Sequence, residues 1–269
     1  MAKVPELKAD AFILDLEDAV SPNEKERARE AACRAIDDLK SEKRFCVIRI
    51  NGLDSNWGSA DLTAAMEANP DAILVPKINA AGQVVALSEY LSGSEHCASA
   101  LWAMIETPLG FLNVQAIAAL AETTPLAGFV VGTNDLAKDM GLALTADRAG
   151  VVHALSQCVL AAKAYGLTVI DGVFNNFSDL DGLAAECDQG RILGMDGKSV
   201  IHPSQIEVCN RIFGPTESDI ERAKNIVAIF AQPENVNANV VAIDGEMVER
   251  LHAEAAVALL KAYDKRHSN

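Results

Sequence analysis

Short apolar runs alternate with amphipathic segments along most of this 269-residue chain, and this alternation restricts the possible folds more than any other feature. The runs are solidly apolar, as expected of parallel strands that are covered on both faces. They predict strands at residues 12–16, 45–50, 72–76, 100–105, 128–131, 168–170 and 198–201. Helical patterns lie between them at 24–39, 109–121 and 147–165. The repeated strand–helix order predicts a parallel sheet with right-handed crossovers.

Seven strands leave two architectures open. A closed barrel of parallel strands has eight, and the missing strand would precede residue 12. The sequence therefore predicts an α/β fold of the TIM-type (β/α)8 barrel that lacks its first strand. An open, doubly wound sheet of seven strands is the alternative, but polar residues at the strand ends favour the barrel.

The pattern changes to helices after the last strand. We expect a barrel at residues 1–214 and a C-terminal helical extension at 215–269, with one helix over 216–230, a polar linker at 232–239 and a second helix to about Tyr263. A lone helix cannot bury the apolar face formed by Met247, Leu251, Ala255 and Leu259. This face is therefore expected to pack on its own barrel or on a neighbouring subunit.

Charge and composition exclude several classes of partner. The net charge is −15, which disfavours nucleic acid and anionic membranes because both require a positive field. No apolar run reaches the roughly 18 residues that a membrane span requires, and the N-terminus does not resemble a secretory signal. Six cysteines without paired spacing favour a reducing cytoplasm over a zinc site or a disulfide scaffold.

Polar residues follow nearly every predicted strand, where parallel barrels carry their catalytic groups. They are Glu17, Asp18, Arg49, Asn51, Lys77, Glu106, Thr133, Asn134, Asp135 and Asp171. Several carboxylates at one mouth repel each other unless a cation neutralises them. Oxygen ligands without a nearby histidine suit a hard ion, Mg²⁺ or Mn²⁺. The alternative is that each carboxylate only caps a helix or lies in a loop.

Eight motifs carry a family resemblance that extends from about residue 8 to 260. In order they are DAFILDLEDAV, VIRIN, ILVPK, MIETPLG, GTNDLAKDMG, VIDGVF, LGMDGKSVIHPSQ and IDGEMV. In this order they resemble the citrate lyase beta-subunit-like family, which includes malyl-CoA and citramalyl-CoA lyases within the broader HpcH/HpaI aldolase group. The resemblance implies a homotrimer or a hexamer.

The resemblance also implies roles for individual residues. Glu106 and Asp135 would be the direct metal ligands, and Arg49 would bind the keto or carboxylate oxygen of the substrate. Glu17 and Asp18 would hydrogen-bond metal-bound waters. The other implied contributions are positive potential from Lys77 and a carboxylate-binding helix start at Thr133 and Asn134.

The function implied is a magnesium-dependent carbon–carbon lyase that cleaves or forms a 3-hydroxyacyl thioester like malyl-CoA or citramalyl-CoA. Its partners would be a small 2-oxo acid and an acyl-CoA. The proton-transfer group of such lyases resembles an aspartate in a DGKMVD-like motif, contributed by a neighbouring subunit. Here the matching segment is DGEMVE, which places Glu249 at that position and Glu246 where a basic residue is expected. This departure favours a different acyl substrate.

Two other functions stay open from the sequence. One is a metal-dependent 2-oxo-acid aldolase that works without coenzyme A. The other is a citrate lyase beta-type subunit that works only beside an acyl-carrier partner.

Overall fold

The computed structural model of the protein describes residues 7–94 and 96–267, which form two compact units that divide between Asn210 and Arg211. The first unit is built from parallel strands and helices, and the second combines two helices with a β-hairpin. None of the described helices is long and apolar enough to cross a membrane.

Seven parallel strands form the sheet of the first unit in their order along the chain. They are β1 (Ala11–Asp15), β2 (Phe45–Arg49), β3 (Ala72–Val75), β4 (Ala100–Ile105), β5 (Leu126–Val131), β6 (Thr168–Asp171) and β7 (Gly197–Lys198). The order never reverses, as it would in a doubly wound sheet, so the alternative of an open doubly wound sheet is wrong. Among the described residues β1 and β7 do not pair, and the sheet is consistent with a TIM-like barrel that is not closed.

Nine described helices follow the strands of the first unit. They are α1 (Lys25–Ser41), α2 (Gly58–Ala68), α3 (Ala81–Ser92), α4 (Pro108–Leu112), α5 (Val114–Ala118), α6 (Thr133–Met140), α7 (Val152–Ala164), α8 (Leu180–Leu193) and α9 (Ile206–Phe213), the last crossing into the second unit. Of the three that the sequence predicts, the first is present, the one at 109–121 is divided into two short helices and a 3-10 turn, and the one at 147–165 starts later. Helix α7 begins five residues later than expected because Arg148 has a φ of 53°. That conformation is incompatible with a right-handed helix.

A cluster of apolar side chains covers one face of the sheet. It consists of Val47 from β2, Ala72 and Leu74 from β3, Trp102 from β4 and Val130 from β5. Side chains two positions apart in a strand share a face. Arg49 and Met104 therefore lie on the same face one step nearer to the strand ends, where Arg49 Nη1 lies 3.6 Å from Met104 Sδ. The apolar cluster thus forms the floor beneath the C-terminal edge of the sheet.

The second unit has its own core. Helix α10 (Glu217–Phe230) is followed by strands β8 (Val240–Ile243) and β9 (Glu246–Glu249), which form an antiparallel hairpin, and by α11 (Arg250–His267). Its core side chains are Ala223, Ile226, Phe230, Ile243, Val248, Ala253 and Ala256. Both predicted helices of the C-terminal extension are present, but the second begins only after a hairpin at 240–249 that the helical pattern does not predict.

The chain itself buries only part of the apolar face predicted for the last helix: Leu259 packs against the core of the second unit, and packing of the rest on a neighbouring subunit stays a prediction. Met247 is 68% exposed and Leu251 is 57% exposed. Ala253 and Ala256 lie on the buried side instead. Their stripe differs from the predicted one because the hairpin and α10 cover the helix from another direction.

Candidate functional site

Charged side chains gather at the C-terminal ends of β1, β2 and β3. Asp15 and Arg49 are register partners in adjacent strands. Arg49 donates two hydrogen bonds to the Asp15 carboxylate, from Nε at 2.7 Å and from Nη2 at 2.6 Å. This forked geometry fixes the plane of the guanidinium group.

The remaining amino group of Arg49 faces two carboxylates that follow β1. Arg49 Nη1 lies 3.2 Å from Glu17 Oε2 and 3.3 Å from Asp18 Oδ2. Lys77 Nζ lies 3.8 Å from the other Glu17 oxygen. The structure thus brings together the four charged residues that the sequence predicts at this end of the sheet.

Glu106 follows β4 and is almost completely buried, with 1% of its surface exposed. Its Oε1 accepts a hydrogen bond of 2.9 Å from the backbone N–H of Lys77. The opposite side of its side chain faces Gly132, where a β-carbon would lie 2.5 Å from Glu106 Cβ and 2.6 Å from Oε2. Glu106 is therefore held between the ends of β3 and β5.

Burial sets the protonation of this edge. It raises the pKa of Glu17 to about 7, against the opposing charge of Arg49. Burial also raises the pKa of Glu106 to about 7, and the negative charges of Glu17 and Asp135 add to this effect. Because both pKa values lie near 7, Glu17 and Glu106 need additional positive charge nearby to be ionised together at neutral pH.

Asp135 lies in the first turn of α6, directly after β5. Its charge raises the pKa of Glu106 and of Lys77, so it belongs to the same electrostatic cluster. In the same turn Thr133 is buried and Asn134 is exposed. The Asn134 side chain exchanges hydrogen bonds of 3.0 and 2.9 Å with Asn175. If Asn134 binds substrate, its backbone is better placed than its paired amide.

The donor set at this edge suits a hard divalent cation. Glu106 and Asp135 supply carboxylate oxygens from neighbouring strand ends, and magnesium typically binds through one or two carboxylates and keeps several waters. The described residues contain no cluster of three or more His, Cys, Asp or Glu side chains arranged to hold a metal. Glu106 and Asp135 would be the two protein ligands of such an ion, and waters or substrate would fill the remaining positions.

Asp171 does not belong to this cluster, although it is the last residue of β6 and so also lies at a strand end. Its carboxylate is fully buried, with Arg148 Nη1 at 2.8 Å and Lys198 Nζ at 3.0 Å. Two cations already neutralise it, so it is unavailable to a bound metal. Asp171 instead ties β6 and β7 to the segment before α7.

Two residues of this edge are not predicted as site residues from the sequence. Asp15 is the partner that orients Arg49, and Lys25 donates from α1 to the backbone after β1. A signal for Lys25 exists, since it shares the buried face of α1 with Ala32, Ile36 and Leu39. A lysine at such a position is rarely buried without partners.

Glu249 lies at the end of β9 in the second unit. Its backbone N–H donates a hydrogen bond of 2.9 Å to His252 Nδ1. Glu246, the other unexpected glutamate, forms an exposed ion pair of 2.7 Å with Arg222 of α10. The catalytic role of Glu249 stays a prediction.

Comparisons with known proteins agree on one family. A model of the family described as HpcH/HpaI aldolase/citrate lyase matches residues 1–203. A (3S)-malyl-CoA thioesterase from Cereibacter sphaeroides is 44% identical over 256 residues, covering 95% of this chain and 87% of the relative. Citrate lyase subunit beta from Leuconostoc mesenteroides is 31% identical, covering 96% and 87%.

A solved structure also resembles the whole chain. It is protein CitE from Mycobacterium tuberculosis in complex with magnesium, acetoacetate and coenzyme A. The match has a TM-score of 0.76 at 28% identity and covers 97% of this chain and 91% of that one.

Proposed function

Because the chain belongs to the HpcH/HpaI aldolase/citrate lyase family, we propose that it is a magnesium-dependent enzyme that acts on a coenzyme A thioester of the malyl type. The observation that carries this proposal is the pairing of Glu106 and Asp135 after neighbouring strands, beside Arg49 and Lys77. The complex of a similar protein with magnesium, acetoacetate and coenzyme A supports both the ion and the ligand class.

Each residue of the edge has a task in such a reaction. Glu106 and Asp135 would hold the ion, which supplies Lewis-acid polarisation of a substrate oxygen when it is bound. Arg49, oriented by Asp15, stabilises negative charge on the substrate oxygens, and fixed donors of this kind are among the largest contributions to catalysis. The backbone N–H groups at the start of α6 suit a substrate carboxylate.

Hydrolysis of the thioester is the first candidate reaction. The likeness to a (3S)-malyl-CoA thioesterase over nearly the whole chain favours it. A water oxygen forms a bond to the thioester carbonyl carbon, the carbon–sulfur bond breaks, and the thiol leaves with a proton. The products are malate and free coenzyme A.

Carbon–carbon cleavage is the second candidate, which the likeness to citrate lyase subunit beta favours. The hydroxyl group loses its proton while the bond between the hydroxyl-bearing carbon and the thioester α-carbon breaks. The α-carbon then takes up a proton, for which Glu249 is the proposed group. Glyoxylate and acetyl-CoA are the products.

Product analysis with (3S)-malyl-CoA tests the proposal and separates the two reactions. Incubation with magnesium should give either free thiol and malate or glyoxylate and acetyl-CoA. A chelator should stop turnover, and added magnesium should restore it. If neither product pair forms, the proposed function is wrong.

Variants of the two ligands test the metal assignment. Glu106→Gln and Asp135→Asn should each lower magnesium-dependent turnover at least about 100-fold, because ligand-sphere substitutions have effects of this size or larger. The matched control is Glu122→Gln, an exposed glutamate in the turn before β5, which should keep wild-type turnover. Near-wild-type activity in either ligand variant would contradict the assignment.

A further inference from the structure

Lys25 is a buried lysine at the start of α1. Its ammonium group donates all of its hydrogen bonds to the two residues after β1 and to Asn51, which follows β2. Lys25 is 6% exposed. Its Nζ donates hydrogen bonds to Leu16 O at 2.8 Å, to Glu17 O at 2.7 Å and to Asn51 Oδ1 at 2.7 Å. An ammonium group has three protons, so all of its donors are used.

Asp15 fixes the backbone N–H groups of the same segment. Asp15 accepts hydrogen bonds from the backbone N–H of Glu17 at 2.9 Å and of Ala19 at 3.0 Å. Lys25 meanwhile binds two consecutive carbonyl groups, those of Leu16 and Glu17. The short turn that carries the Glu17 carboxylate is therefore held through both its carbonyl groups and its N–H groups.

A chain of buried hydrogen bonds anchors Lys25 to two helices. Asn51 donates from its side chain to Leu16 O at 2.8 Å and to Asp61 Oδ2 at 2.5 Å. Asp61, in the first turn of α2, is completely buried and accepts a hydrogen bond of 2.6 Å from Arg29 Nε. A fully satisfied buried network of this kind restricts the positions of its members.

We propose that Lys25 is a positioning residue for the cation site, and that it acts by holding Glu17. This inference rests on the proposed function. Glu17 lies 3.2 Å from Arg49 Nη1 and 3.8 Å from Lys77 Nζ, so a shift of its backbone changes the charges that face Glu106. Burying an ammonium group is unfavourable without such partners, and an apolar residue could fill the same space with less desolvation. The hydrogen bonds that hold the Glu17 turn account for a lysine here.

A double-mutant cycle tests this role with magnesium alone as the probe. Lys25→Met, Glu17→Gln and the double variant are titrated with Mg²⁺ by calorimetry beside the wild type. Lys25→Met should weaken magnesium binding about 10- to 100-fold, as expected of a residue that orients the groups around a metal. In the Glu17→Gln background the same substitution should change the affinity less than about threefold, because its effect passes through Glu17.

Turnover and controls separate positioning from general destabilisation. Lys25→Met should lower kcat for (3S)-malyl-CoA and leave KM within about threefold. The control is Lys163→Met, which removes a lysine of α7 that pairs with Asp196. It should change neither kcat nor KM. If Lys25→Met does not fold, Asn51→Ala takes its place in the same cycle, because Asn51 is the other side chain that donates to Leu16 O.

Equal losses of magnesium affinity in both backgrounds, or no loss in either, would overturn the proposal. Because the magnesium titration needs no substrate, its outcome is independent of the reaction catalysed. Normal magnesium binding without any turnover of malyl-CoA would contradict the proposed function and not the role of Lys25.

Discussion

Gly132 shows how closely the residues at the ends of β4 and β5 are packed. Its φ of −106° is accessible to any residue, so backbone conformation does not require glycine there. The requirement comes from Glu106, whose Cβ and Oε2 occupy the space that a side chain would need. A small residue at this position therefore keeps the buried carboxylate in place.

Gly132→Ala should displace the Glu106 carboxylate and weaken magnesium binding at least about 10-fold, an effect typical of altered metal ligand geometry. Calorimetric titration measures it directly. Gly82→Ala is the matched control, since Gly82 is exposed on α3 and a β-carbon there meets nothing within 4 Å. It should leave binding unchanged and stability unchanged or higher by up to about 1 kcal/mol. Equal magnesium affinity in both variants would contradict the packing argument.

Asp15 links the site to acid stability. Burial raises its pKa, but the hydrogen bonds and charge of Arg49 and two backbone N–H groups outweigh burial, so its pKa lies below the ordinary 3.8. An acid with a lowered pKa in the folded state stabilises the protein above its unfolded pKa, and this contribution is lost as the pH falls through the folded value. Asp15 therefore belongs to the groups whose protonation favours unfolding in acid.

Asp15→Asn should flatten the dependence of the unfolding free energy on pH below about 4, the ordinary range of an aspartate. At neutral pH the variant should be less stable than the wild type, because Arg49 loses a charged partner. The two curves should converge toward low pH. Chemical denaturation at a series of pH values measures both, and parallel curves would show that Asp15 has the same pKa in both states.

At the scale of elements, the hairpin of β8 and β9 depends on its two-residue turn. Asp244 has a φ of 51° and Gly245 a φ of 83°, the pair of positive values that a type I′ turn requires. This turn matches the twist of the two strands, whose side chains Ile243 and Val248 enter the core of the second unit. The turn thus helps to hold that core together.

Gly245→Ala should destabilise the protein by about 1–2 kcal/mol, the approximate penalty of a left-handed conformation for an L-residue. Nothing lies within 4 Å of the new β-carbon, so the loss comes from the backbone alone. Asp244→Asn is the control and should change stability by no more than about 0.5 kcal/mol, because asparagine tolerates this conformation. Urea unfolding compares them, and equal stability of Gly245→Ala and wild type would exclude the type I′ assignment.

The first six strands of the first unit could be predicted from the sequence because each contains a continuous apolar run between helical patterns. The seventh, predicted at 198–201, is only the pair Gly197–Lys198. The residues at the strand ends followed from topology alone, and so the grouping of Glu17, Arg49 and Lys77 was predictable. The fork between Arg49 and Asp15 was not, since it depends on the register of β1 against β2. Register is a property of paired strands and not of either strand alone.

Other features needed contacts between distant segments. The late start of α7 depends on Arg148, whose side chain reaches Asp171 of β6. The hairpin carried a local signal, the Asp244–Gly245 pair between VVAI and EMVE, but a strand pair this short reads easily as the beginning of a helix. The side of α11 that faces the core of its own unit depends on this hairpin and on α10, so it could not be assigned from the sequence of the helix alone.

At the scale of the whole molecule, the residues proposed for ion binding and for proton transfer belong to different units. The candidate cation ligands Glu106 and Asp135 belong to the first, and Glu249 belongs to the second. The departure from the family's aspartate therefore concerns proton transfer and leaves the ligand set as it is. A substitution of Glu249 should therefore change turnover without changing the binding of the ion.

Glu249→Gln should lower kcat by about 100-fold or more if Glu249 carries the proton, since positioned acid–base groups contribute 10²–10⁴-fold. Magnesium affinity should stay within about twofold, because the cation ligands are unchanged. Glu254→Gln, an exposed glutamate on α11, is the control. Steady-state kinetics and calorimetry on the same preparations give both numbers, and unchanged kcat would leave Glu249 without a catalytic role.

The excess of carboxylates at the strand ends has a consequence for the sequence of events in turnover. Once Glu17 and Glu106 are ionised, the five carboxylates Asp15, Glu17, Asp18, Glu106 and Asp135 outnumber the cations Lys25, Arg49 and Lys77 there, on a chain that is itself strongly anionic. An anionic thioester approaching this edge is repelled, whereas a divalent ion is attracted. For the proposed enzyme, the metal therefore has to arrive first and convert a repulsive surface into a receptive one.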